Sequence, residues 1–223
     1  MDTETLRQVL GDSDIGASDL SRVAQKYDKL DSGKRAQSRE LLADDGLRES
    51  WVRVVSNQGV GSESVKYGLD SVERIQESAS IDNFYLGRRV QEQEYPPSWD
   101  DVYPEQSIVT EFTLTDNVEF YRMYTEGGNS KAGRFLLRST DDITTMSTTE
   151  LQARYAIPGN PPDTVAKAEI PAGTTMRTAK VATNDFGAGG GRQFTLPKSK
   201  LPNLPEDWFD KSSELTQELN SGS

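Results

Sequence analysis

The segment Tyr95–Glu105, reading YPPSWDDVYPE, constrains this chain more than any other stretch. Pro96, Pro97 and Pro104 fix φ and lack a backbone N–H, so no helix runs through it. Before it, apolar residues recur at helical spacing. After it come short β-like runs, each bounded by Gly, Pro, Asn or Asp. The chain is therefore expected to be α+β. A helical segment covers 1–94, a Pro-rich boundary and first strand cover 95–116, a compact mostly-β domain covers 117–200, and a loose tail covers 201–223.

The helical half carries four apolar stripes. Leu20, Val23, Ala24, Tyr27 and Leu30 follow Ser18 and Asp19, which are suited to capping. Ala36, Leu41 and Leu42 form a second stripe, which Gly46 would stop. Leu47, Trp51, Val54 and Val55 precede a break at Asn57–Gly61, and Val65, Leu69, Val72 and Ile75 follow it. Such stripes are packing faces of a small bundle or a docking surface for a delivery apparatus or a larger parent chain. Asp12, Asp14, Asp28 and Asp31 do not make a calcium loop. Leu30 occupies the third loop position counted from Asp28, and no Glu falls at the twelfth of either loop.

In the second half, strands are expected at Ile108–Leu114, Val118–Tyr124, Arg134–Leu137, Val165–Ile170, Thr175–Val181 and Gln193–Leu196, with a short capped helix at Thr148–Tyr155. Pro202, Pro205 and the polar run Glu214–Asn220 mark the tail as a loose wrap. The chain has neither Cys nor His, which excludes disulfides, Cys/His zinc sites and His-based nucleophilic or ribonuclease chemistry. A formal charge of −11 argues against a general grip on nucleic acid, although it also suits a salty environment. No apolar run is long enough to span a membrane, and the first residues, MDTETLRQVL, do not read as a secretory signal.

The most unusual stretch is Asp185–Gln193, reading DFGAGGGRQ. Consecutive glycines are costly to order, so they fit either a flexible hairpin or a place where backbone turns tightly or meets a ligand. It is not a P-loop, because no Gly-Lys-Ser/Thr follows. Arg122, Arg134, Arg138 and Arg154 fall on or near expected strands or the short helix. A buried guanidinium needs a partner, which is either a structural carboxylate or an anionic ligand such as a pyrophosphate. Tyr121, Tyr124, Phe135 and Tyr155 lie close to them in sequence and suit a core or, with the arginines, a nucleotide.

The order Tyr121-Arg122, Gly133-Arg134-Phe135-Leu136, Ala153-Arg154-Tyr155-Ala156-Ile157-Pro158, then Phe186-Gly187 with Gly189-Gly190-Gly191 and Gln193, resembles the tuberculosis necrotizing toxin domain. The resemblance covers roughly 117–197. The Phe-Gly-x-Gly-Gly-Gly-x-Gln element is its most specific part. It implies a distorted ADP-ribosyltransferase-like fold that cleaves NAD or NADP to nicotinamide and ADP-ribose, with no cofactor beyond that substrate. By the same resemblance Gln193 holds the catalytic position, Arg122 and Arg154 contact the phosphates, Phe186 faces the nicotinamide side, and Arg134 falls in a family element of unassigned role. The family pattern also places a His near Thr164–Ala168, which this chain lacks. The resemblance further implies a secreted or delivered effector acting in the target-cell cytoplasm, partnered by a cognate immunity protein. A mono-ADP-ribosyltransferase and a non-enzymatic binding module are the alternatives.

Overall fold

The apolar stripes form helices, two of which start at a capping aspartate and two at a glycine. The structure, a computed structural model, describes residues 15–97, 101–127, 131–138 and 144–214, with backbone alone over 210–214. Helix α1 spans Ala17–Tyr27, α2 Ser32–Ala43, α3 Asp45–Val55 and α4 Ser62–Ile75. Gly16, not Ser18 or Asp19, is the N-cap of α1, and Asp19 instead sits in its first turn, ion-paired with Arg22. Asp31 caps α2 by accepting from Lys34 N at 2.9 Å. Asp44 ends α2 and caps α3, accepting from Gly46 N at 2.8 Å and Leu47 N at 3.0 Å. Gly46 therefore lies inside the first turn of α3 and stops nothing. An Asp side chain that satisfies orphan amides outweighs one glycine's entropic cost. Asp12 and Asp14 lie outside the described residues.

The expectation of helix through residue 94 fails at Ala79–Leu86, which is strand β1. Asp82 and Asn83 are poor helix formers, and the segment gains a ladder by pairing antiparallel with β2, Ile108–Leu114, across an irregularity between Ile81 and Asn83. Helix resumes only at α5, Gly87–Glu94. The remaining strands are β3 Val118–Tyr124, β4 Phe135–Leu136, β5 Thr164–Ile170, β6 Thr175–Lys180 and β7 Arg192–Thr195, and helix α6 covers Thr148–Tyr155. The tail is not wholly loose. A 3-10 turn at Glu206–Trp208 leads into β8, Phe209–Glu214, which covers the edge of β5 and anchors on the buried Phe209. Residues 215–220 of the expected polar run lie outside the described residues.

Two antiparallel sheets result, one ordered β1-β2-β6-β7-β4 and the other β3-β5-β8. They are joined where Tyr121 and Leu137 exchange backbone hydrogen bonds of 2.7 and 2.8 Å. Phe194 of β7 packs on Phe112 of β2 and, at 5.3 Å between ring centroids, on Phe120 of the other sheet. The helical stripes are core within the chain. Trp51 of α3, fully buried, meets Phe84 of β1 edge-on at 4.8 Å, and Ile75 of α4 packs in one cluster with Phe112 and Phe194.

The described residues of the Pro-rich segment pack into the fold. Tyr103 is fully buried and shares a 2.5 Å hydrogen bond with Thr195 of β7, while Tyr95 stacks on Phe135 of β4. Proline removes helix here, yet aromatic burial draws the chain into the fold.

Because the helices and sheets share a core, Trp51→Ala is expected to cost about 3–5 kcal/mol and to lower a single cooperative unfolding transition. Denaturant melts followed by far-UV and near-UV circular dichroism check this. Two separated transitions would contradict it.

Candidate functional site

Where the two sheets meet, a cavity of about 440 Å³ opens, within the ~300–1,000 Å³ typical of small-molecule sites. Arg122 and Met123 of β3, the Phe135–Leu137 stretch at β4, and Gln193 of β7 line it. Its other walls are the C-terminal end of α6 from Tyr155 to Pro158, the segment holding Val181, Asn184 and Phe186, and Asp101 with Val102 from the Pro-rich segment.

Each wall is held by local chemistry. Helix α6 begins with a reciprocal capping box between Ser147 and Glu150 and ends at Ala156, whose φ of 48° is left-handed. That strained alanine is retained because Asn184 Nδ2 donates to its carbonyl at 3.0 Å. Asn184 Oδ1 in turn accepts from Phe186 N at 2.9 Å, so Asn184 fixes two walls at once. The Gly-rich run then returns against α6. Gly189 N donates to Ala153 O at 2.9 Å and Gly191 N to Arg154 O at 3.0 Å. Gly189 has φ of 66°, and a Cβ there would run into Ala182 O. A Cβ at Gly187 or Gly191 would run into α6, so close packing of backbone requires glycine at these positions, and the run is an ordered turn.

Arg122 is the electrostatic centre of the cavity. Its Nε is buried with no hydrogen-bond partner, and Nη1 makes one long bond, 3.5 Å, to Phe135 O. Among the described residues no carboxylate pairs with it, and burial alone pulls its pKa down to about 10. Gly133 gives it room, since a Cβ at that position would overlap Arg122 Nε. Gln193 is only 7% exposed, and its side-chain amide has no hydrogen bond among the described residues. The part-buried Arg122, whose Nε lacks a partner, and the Gln193 amide thus bring unused hydrogen-bonding capacity to one cavity. Phe186, 39% exposed, supplies an apolar wall beside them.

Sequence reasoning thus brings Arg122, Gln193 and Phe186 to one place. Two of the arginines lie elsewhere. Arg134 does not line the cavity; it donates to Leu196 O, Leu201 O and Pro202 O at 3.0, 2.8 and 2.9 Å and so ties down the tail. Arg154 is exposed on the last turn of α6 and also lies off the lining. Arg138 likewise serves the fold, reaching Ser78 Oγ at 2.8 Å. Asp101, Asn184 and Tyr155 join the site unforeseen or with no assigned role; an Asn two residues before Phe-Gly is a turn signal that could have flagged Asn184. Of 164–168, Ala166 pairs with Arg122 across the β3–β5 ladder, and none of the five lines the cavity. Among the described residues no group of three or more Asp, Glu, His or Cys side chains gathers where a metal ion could sit, and no helix is long and apolar enough to cross a membrane.

No protein-family model matches this chain, and neither a curated protein nor a solved structure matches it.

The folded pKa of Arg122 lies below its unfolded value, so its charge costs stability at all pH values below about 10, and the cost fades as pH rises through that value. Arg122→Met is therefore expected to stabilise the ligand-free protein at pH 7 by about 1–3 kcal/mol. Thermal unfolding checks this: the variant should melt several degrees higher, with the advantage shrinking above pH 10. A lower melting temperature for Arg122→Met at pH 7 would contradict it.

Proposed function

We propose that this chain cleaves the nicotinamide–ribose bond of NAD or NADP, releasing nicotinamide and ADP-ribose. The observation that carries the reading is the part-buried Arg122, whose Nε lacks a partner, sharing one cavity with the unbonded Gln193 amide and the exposed Phe186. The guanidinium fork suits a pyrophosphate, Gln193 Oε1 suits a ribose hydroxyl, and the Phe186 ring suits the face of the nicotinamide. Of the two arginines assigned to phosphate by resemblance, the cavity favours Arg122. We read the two antiparallel sheets with a site at their junction as an ADP-ribosyltransferase-like arrangement.

The chemistry asks little of acid–base groups. As the C1′–N bond breaks, its electron pair neutralises the pyridinium nitrogen, and nicotinamide leaves without needing a proton. The ribose becomes an oxocarbenium ion, which water captures with loss of a proton to solvent. The protein's task is to hold the pyrophosphate and orient the ribose while that charge develops, a positioning role open to a chain without His. Asp101, a carboxylate on the cavity wall, favours a ligand that carries positive charge at one end and phosphate at the other. Water is the acceptor in this reading, because a Gln stands where transferases of this fold commonly use Glu. The resemblance adds a delivered effector acting in the target-cell cytoplasm and a cognate immunity protein as partner.

Purified chain is expected to deplete NAD, and Gln193→Ala to lower kcat by about 100-fold or more with a smaller effect on KM. Chromatographic quantification of nicotinamide and ADP-ribose checks this. Undiminished NAD after prolonged incubation with folded protein would overturn it, and ADP-ribose found on a macromolecule instead of free would point to the transferase.

A further inference from the structure

Gln193 and its neighbour Arg192 open β7, and successive side chains of a strand point to opposite faces. Gln193 faces the cavity. Arg192 faces helix α4, far away in sequence. Its guanidinium lies over the Tyr67 ring at 4.1 Å, donates to Ser71 Oγ through Nη1, and reaches Tyr67 O from Nη2 at 3.5 Å. Ser71 is fully buried and itself donates to Tyr67 O at 2.9 Å, so the acceptor pair on α4 is preset. The Tyr67 hydroxyl donates to Gly191 O at 3.3 Å, the same carbonyl that accepts from Val181 N at 2.9 Å.

We infer that Tyr67 and Ser71 of α4 are positioning residues for the reaction, holding the Arg192 guanidinium by ring and hydroxyl so that Gln193 is presented to the cavity. The inference rests on the proposed role of Gln193, and it makes the helical half part of the enzyme. The physical need is register. The start of β7 follows three glycines that have no side chains to pack, and a slip of one residue against β6, where Gln193 now faces Ala179, would turn the amide out of the cavity. The β6–β7 ladder is short, from Arg177–Thr195 to Lys180–Arg192, so a clamp at the end where the Gly-rich turn enters β7 matters. A stacked arginine is well suited to this, because its planar head is fixed by ring and hydroxyl together. No carboxylate pairs with Arg192 among the described residues; α4 supplies a π face, a hydroxyl and a carbonyl in its place.

The test uses the full chain with Tyr67→Phe, Tyr67→Leu and Ser71→Ala, read by amide hydrogen exchange across 187–196 and by steady-state NAD cleavage. Tyr67→Leu is expected to speed exchange of the Gly191–Phe194 amides about tenfold or more while core strands such as β2 stay protected. It is expected to lower kcat about tenfold or more and leave KM within about twofold, since Arg122 still holds the phosphates. Tyr67→Phe keeps the ring under the guanidinium and should retain kcat within about threefold of wild type. Should Tyr67→Leu fail to fold, Ser71→Ala takes its place, with the same local gain in exchange supporting the clamp. Unchanged exchange at 191–194 in a folded Tyr67→Leu or Ser71→Ala overturns it, as does a loss carried equally by Tyr67→Phe and Tyr67→Leu. If the wild-type chain leaves NAD intact, the proposed function fails, and the exchange data still decide whether α4 holds the Gly-rich turn.

Discussion

Two backbone hydrogen bonds between Tyr121 and Leu137 tie the three-stranded sheet to the five-stranded one, and the rest of the molecule is arranged around that join. Arg122 follows Tyr121 directly, Leu137 follows β4 directly, and both line the cavity. Below the join Phe120 and Phe194 fill the space between sheets. Beside it the same space is left open and walled by α6 and the Asn184–Phe186 turn. One connection thus sets both where the core ends and where the site begins.

The fold contains an internal control for what a buried arginine ordinarily receives. Arg177, 5% exposed, is paired with Glu111 at 2.8 Å and Glu94 at 3.0 Å, and its ring neighbour Tyr85 lies 5.3 Å away. Glu94 also accepts from Ser199 N at 3.1 Å, so that network fastens α5 to the turn that follows β7. A buried guanidinium with two carboxylates is a structural element. Arg122 has none, and its pKa is driven down by burial instead of up by partners. Arg177 is satisfied by the fold itself, whereas Arg122 is the arginine that the proposed reading assigns to the anionic ligand.

Much of this was legible where local signals suffice. The spans Ile108–Leu114, Val118–Tyr124 and Thr148–Tyr155 stand where the β-like runs and the short capped helix are expected, because flanking Asp, Asn and Ser mark their ends locally. The elements that escaped are those made by distant partners. Strand β1 exists because β2 offers an edge, β8 because β5 does, and neither segment carries a strong strand pattern of its own. The three prolines near residue 100 correctly exclude helix but say nothing of Tyr103, whose burial turns an expected boundary into a cavity wall. Arginine spacing could not tell Arg122 from Arg134, since only the third dimension reveals that one meets carbonyls and the other an open cavity.

The central claim is that Arg122 is left unpaired so that it can hold the phosphates of the ligand. The most direct measurement is calorimetric titration of ADP-ribose, which carries the pyrophosphate and cannot be cleaved at the nicotinamide bond, into the wild type and Arg122→Met. Binding to the wild type that falls by about 100-fold or more in Arg122→Met is the predicted result, in keeping with the roughly 2–5 kcal/mol lost when one partner of a buried charge pair is removed. Equal affinity for both proteins, or none for either, would contradict it.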